Sequence, residues 1–112
     1  MAKLIVANWK MNPASESEAE GLFEAVLKNT PHGIQTIIAP PFTYLSRLKD
    51  IKRPRSVSLG SQDLFWEDSG AYTGEISGHQ LSTLGVKYAI VGHSERRINL
   101  GETDEMVSKK VK

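Results

Sequence analysis

Apolar residues fall into four short runs, centred on Ile5, Ile37, Leu59 and Ile90, separated by longer stretches of mixed polarity. In three of the runs the apolar residues are consecutive rather than alternating, the pattern of strands covered on both faces, as in a parallel sheet. The run Val57-Ser58-Leu59-Gly60-Ser61 carries it least clearly. After the first run, Ala19, Leu22, Phe23, Val26 and Leu27 recur at helical spacing and predict a helix with one apolar face. Ser15 is placed to cap it, Glu18 to reach back to the Ser15 amide, and Asn29-Thr30-Pro31 to end it.

After the second run, Pro40-Pro41 forces an extended turn, and Tyr44, Leu45, Leu48 and Ile51 predict a shorter helix capped by Thr43. The stretch 63–75 has too little periodicity for an element, and a polar loop of that length in a compact protein is usually functional or partner-binding. It leads into a clear helix start, with Ser77 as cap, Gln80 as its reciprocal partner and Ile76 against Leu81 as a staple; Gly85 ends this helix. A last helix begins near Thr103, with Asp104 and Glu105 in its first turn and Lys109, Lys110 and Lys112 toward its end, matching the helix dipole. No Gly, Asn or Pro closes that pattern, so the chain is expected to stop inside its fourth helix.

The predicted order is βαβαβαβα, an α/β arrangement of parallel strands with right-handed crossovers. An eight-unit barrel allots roughly 30 residues to each unit, and four units in 112 residues fit that spacing. An open doubly wound sheet fits equally well.

Composition narrows the chemistry. With 39% apolar and 24% charged residues the chain reads as one globular unit or part of one. Fourteen basic residues nearly cancel thirteen acidic ones, and the basic cluster Lys52-Arg53 with Arg55 is interrupted by Pro54, so nothing points to nucleic acid or an acidic membrane as partner. Without cysteine there is no disulfide, thiolate nucleophile or Cys-ligated metal. The run Leu4 to Ala7 is too brief for a signal-peptide core or a membrane span, and a cytoplasmic location is expected.

Each strand ends in residues unlike its core: Asn8 with Lys10, Pro40-Pro41, Gln62 with Asp63, and His93. That edge is where α/β folds bind ligands. His93 follows the run Tyr88 to Val91 directly, where a following helical turn can aim free amides at it; such a positive helix end disfavours imidazolium. A neutral ring could then donate to a carbonyl oxygen or an enediolate, although a surface His in a capped turn has the same local sequence. Lys10 can share this end of the sheet and meet an anionic substrate, although a lone lysine is most often a solvated charge, and Asn8 and Asn12 are also turn formers. Gly92-His93-Ser94-Glu95-Arg96 begins like a hydrolase nucleophile elbow but fails at its fifth position, where Arg96 is too bulky. His32 and His79 lack metal-ligand spacing, and neither a dinucleotide fingerprint nor a P-loop occurs.

Three segments, Asn8-Trp9-Lys10-Met11-Asn12, Gly70-Ala71-Tyr72-Thr73-Gly74-Glu75-Ile76-Ser77 and Val91-Gly92-His93-Ser94-Glu95-Arg96-Arg97, together resemble the triosephosphate isomerase family. Their order, at the tips of the first, third and fourth strands, makes the resemblance specific, and it spans essentially the whole chain. It implies a TIM (β/α)8 barrel of which residues 1–112 form the N-terminal half of a single domain. It implies a cofactor-free and metal-free enzyme of glycolysis and gluconeogenesis that interconverts dihydroxyacetone phosphate and glyceraldehyde 3-phosphate through an enediolate.

Within that scheme, which is itself a standard illustration of pKa tuning, the resemblance makes His93 the electrophile. Lys10 supplies positive charge for the phosphate and enediolate, Asn8 orients substrate, Glu95 acts beside Lys10 and Ser94 supports the site. It also implies a homodimer, with Thr73 contacting the partner subunit's active site. The family's general base, lid and later phosphate-binding loops follow segments that this sequence does not contain, so the 112-residue chain alone is expected to be inactive. The competing expectation is a non-catalytic half-barrel that pairs with itself or with a second half.

Overall fold

In the computed structural model, which describes residues 3–112, the strands are β1 (Lys3–Asn8), β2 (Ile34–Ala39), β3 (Val57–Ser61) and β4 (Tyr88–Ala89). Interleaved with them are α1 (Glu16–Lys28), α2 (Phe42–Leu48), α3 (Gly78–Thr83), α4 (Ser94–Leu100) and α5 (Asp104–Val111). The strands form one parallel sheet in the order β1-β2-β3-β4. Four parallel strands with alternating helices make this half of a TIM barrel.

Register brings the strand ends level. Asn8 lies opposite Ala39, Ile38 opposite Leu59, and Ser61 opposite Ala89, so the loops after all four strands open on one edge. Gly60 permits the close approach: a Cβ there would lie 2.9 Å from Ile37 Cγ2 and 3.4 Å from the Tyr88 carbonyl oxygen. The core lies between the sheet and its helices, where Phe23, Leu45, Leu48 and Leu81 pack against Ile38, Val57 and Leu59. Side chains of this kind contribute about 1.5–3 kcal/mol each when fully buried, and Phe23, Ile38, Leu48 and Leu59 have no exposed surface.

The helix starts agree with the sequence in part. Ser15 Oγ accepts the Glu18 N–H at 3.3 Å, but the Glu18 carboxylate takes the Ser15 hydroxyl at 3.1 Å instead of returning to the Ser15 amide. At α3 both halves of the box form, the Ser77 hydroxyl accepting from the Gln80 amide at 3.0 Å and the Gln80 side chain from the Ser77 amide at 2.9 Å. The helix α2 starts two residues earlier than expected: Pro41, not Thr43, is its cap residue, and it offers no side-chain bond. Its ring presets an extended entry, which places Thr43 inside the first turn.

Three further expectations are corrected. The fourth run forms only a two-residue strand, and β1 and β4 are exposed rather than covered on both faces, because they are the outer strands of this sheet. Leu4, Ile5 and Val6 stay 46–57% exposed. The helix expected as the fourth is the fifth, since α4 intervenes with no buried residue. Lys110 stands in the last turn of α5 as expected, and it is also buried.

Candidate active site

The sheet edge holds a cavity of about 120 Å³ lined by Asn8, Lys10, Phe42, Gln62, Asp63, His93, Glu95 and Arg96. The structure thus brings together four of the six residues singled out from the sequence. Ser94 is the first residue of α4, exposed and outside this lining, and Thr73 lies exposed in the loop after β3, also outside it.

Lys10 has φ 57°, a left-handed backbone that costs a residue with a Cβ about 1–2 kcal/mol. Two hydrogen bonds to its own backbone hold it there. The Asn8 Oδ1 accepts the Lys10 amide at 2.9 Å, and Gln62 Nε2 donates both to the Lys10 carbonyl, at 2.8 Å, and to the Ala39 carbonyl, at 2.9 Å. Gln62 therefore ties the loops after β1 and β2 to the end of β3. Its polar position at a strand end was visible in the sequence, but its two carbonyl partners were not.

The ammonium that this backbone presents lies 2.7 Å from Glu95 Oε1, with both side chains about half exposed. The Lys10 hydrogen bond holds the Glu95 carboxyl below its usual value, against a smaller contrary push from burial. His93 is the cap residue of α4, and its Nδ1 accepts the Glu95 amide at 3.1 Å. A neutral ring that accepts at Nδ1 carries its proton on Nε2 and keeps that nitrogen as a donor.

Behind this edge lies a group of charges that the sequence did not reveal. Lys110 Nζ is 2.7 Å from Asp63 Oδ1 and 2.8 Å from Glu102 Oε2; Arg96 Nε is 2.7 Å from Glu102 Oε2 and 3.1 Å from Asp63 Oδ2. The Lys110 and Glu102 side chains are only 4% and 2% exposed, so their full pairing matters. Burial pushes the Glu102 carboxyl up, but hydrogen bonds from Lys110 and Arg96 and their charges outweigh it, and its pKa is lowered. The other oxygen of Glu102 accepts the Gly92 amide at 3.1 Å, and Arg97 Nε donates to the Gly92 carbonyl at 3.3 Å. Gly92, at φ 68°, is thereby held on both sides just before His93.

The loop after β3 has its own order. Phe65 bridges to Ser77, stacks on Trp66 with ring centres 4.1 Å apart, and meets Tyr72 at 4.6 Å.

A family model described as "Triosephosphate isomerase" matches residues 3–112. Curated proteins named triosephosphate isomerase are similar over almost the whole chain. That of Thermoanaerobacter pseudethanolicus is 46% identical over 109 residues, 96% of this chain and 44% of that protein. That of Moorella thermoacetica is 46% identical over 110 residues, 96% of this chain and 43% of that protein. That of Nostoc punctiforme is 47% identical over 111 residues, 96% and 46% respectively. The chain thus spans less than half the length of the curated relatives it matches.

Proposed function

Because this chain belongs to the triosephosphate isomerase family, we propose that it is the N-terminal half of a single-domain enzyme that interconverts dihydroxyacetone phosphate and glyceraldehyde 3-phosphate in glycolysis and gluconeogenesis. The observation that carries this reading is the convergence of Lys10, Asn8, Glu95 and His93 on one cavity at the sheet edge.

The reaction moves a proton between adjacent carbons and needs an electrophile at the carbonyl oxygen as a base takes the C–H proton. His93 is the electrophile: donation from Nε2 polarises the carbonyl, and the same nitrogen passes a proton between the two enediolate oxygens. Support comes from the Nδ1 bond to the Glu95 amide, which selects the required tautomer. Lys10 offers a fixed positive charge to the phosphate and the enediolate, worth most where water is excluded. Glu95 holds the ammonium in place until an anionic substrate competes for it, Asn8 orients the substrate and stabilises the Lys10 turn, and Ser94 supports the start of α4.

The general base, the lid and the remaining phosphate contacts come from beyond residue 112. The complete protein acts in the cytoplasm, without cofactor or metal, as a homodimer in which Thr73 reaches the partner subunit's site. A coupled assay on the complete protein should show isomerase turnover, His93→Gln should lower kcat by about 10²–10⁴-fold, and the 112-residue chain alone should stay at background. Undiminished turnover in His93→Gln, or enzyme-like turnover by the isolated chain, overturns the assignment.

A further inference from the structure

At the opposite end of the strands, between the end of α2 and the starts of β3 and β4, lies an open groove of about 660 Å³. Lys49, Lys52, Arg53, Arg55 and Lys87 line it together with one carboxylate, Asp50. Its lining thus carries a net charge of +4, whereas these 112 residues together carry +1, so the remainder of them is net −3. Such segregation focuses a positive field in a concave surface.

The end of α2 accounts for some of these cations. Arg53 Nη1 donates to the Lys49 carbonyl at 3.3 Å and the Ile51 carbonyl at 3.5 Å, and its Nε donates to the Val57 carbonyl at 3.3 Å, so the guanidinium caps that turn. Those bonds fix the group without neutralising it, and its remaining nitrogen, Nη2, keeps two donors with no acceptor among the described residues. Arg55 and Lys87 are not explained by the helix end, for they come from the start of β3 and the start of β4. Lys49 lies 3.8 Å from Asp50, whereas Lys52, Arg55 and Lys87 have no carboxylate partner among the described residues.

We propose that this groove is a second anion site, distinct from the cavity at the other end of the sheet, that binds a polyphosphate chain. The ligand is either free inorganic polyphosphate or the phosphate tail of a nucleotide. The fixed arginine still offers the two N–H donors of Nη2 beside its full charge, and three unpaired cations around it suit a ligand with several adjacent charges rather than one.

Calorimetric titration of the complete protein with inorganic tripolyphosphate at about 0.1 M salt tests it. Saturable binding is expected, weakened about tenfold by Arg55→Glu and by Lys87→Glu. Lys109→Glu makes the same change of charge outside the groove and should stay within about twofold of the parent. Both groove residues are exposed, and unchanged circular dichroism verifies folding; Lys87→Gln, with about a threefold loss, replaces the reversal if that disturbs the fold. Competition by ATP identifies a nucleotide tail as a ligand, and its failure to compete identifies free polyphosphate; either supports the site. Absence of saturable heat, or an equal loss in Lys109→Glu, refutes it.

Discussion

Replacing Glu102 by alanine removes one carboxylate from a set of two acids and two bases in which all but the partly exposed Arg96 are buried. Glu102 meets Lys110 at 2.8 Å, Arg96 at 2.7 Å and the Gly92 amide at 3.1 Å, and its side chain is 2% exposed. Without it, Lys110 and Arg96 share the single carboxylate of Asp63, and one positive charge is left uncompensated where water scarcely reaches. Breaking a buried pair in this way costs about 3–5 kcal/mol, and the orphaned Gly92 amide acts in the same direction by about 1–3 kcal/mol. The two are coupled and do not add, so the expected loss is about 3–5 kcal/mol in the complete protein.

Urea unfolding reads this as a drop in the midpoint at unchanged slope. Combining Glu102→Leu with Lys110→Met should cost markedly less than the two single changes summed, because it removes the lone charge as well as its partner. A loss below about 1 kcal/mol, the range of a solvated surface pair, would show that the cluster is not the buried brace described here.

The same carboxylate gives a pH dependence. Its folded pKa lies below the ordinary value of 4.5, so its stabilisation is fully present above that value and is lost as pH falls through the folded value; acid unfolding should flatten below pH ~4.5 in Glu102→Gln, and an unchanged acid limb contradicts this. Gly92→Ala must adopt φ 68° and place a Cβ 3.0 Å from Val107 Cγ2; about 1–3 kcal/mol should be lost in denaturant unfolding, and a neutral change refutes the strain argument. Ser77→Ala breaks the α3 capping box and should cost about 1 kcal/mol in the same assay; no loss would mean that the box adds nothing to the fold.

Elements whose formation depends on local pattern were legible in the sequence. The apolar runs gave β1, β2 and β3, the helical stripe gave α1, and Ser77 with Gln80 located the start of α3. Of helix α4 only a turn after His93 was legible, because the helix buries nothing: Ile98 is 81% and Leu100 65% exposed, so no apolar stripe marks it. Its signals were the His93 cap and Gly101, left-handed at its end. Lys110 stands in the last helical turn as the dipole argument expects, but its pairing with Asp63 joins residues 47 apart and leaves no local signature. Asn8, Lys10, His93 and Glu95 were nameable from motif order, but their meeting in one cavity is a product of strand register.

The central claim, that these residues form half of an isomerase site, is tested most directly by a crystal structure of the complete protein with an enediolate analogue bound. The account predicts His93 Nε2 within about 3 Å of an analogue oxygen, Lys10 Nζ turned toward the analogue's anionic groups, and Nδ1 still accepting the Glu95 amide. An analogue seated elsewhere, or His93 Nε2 facing away from it, would contradict the account.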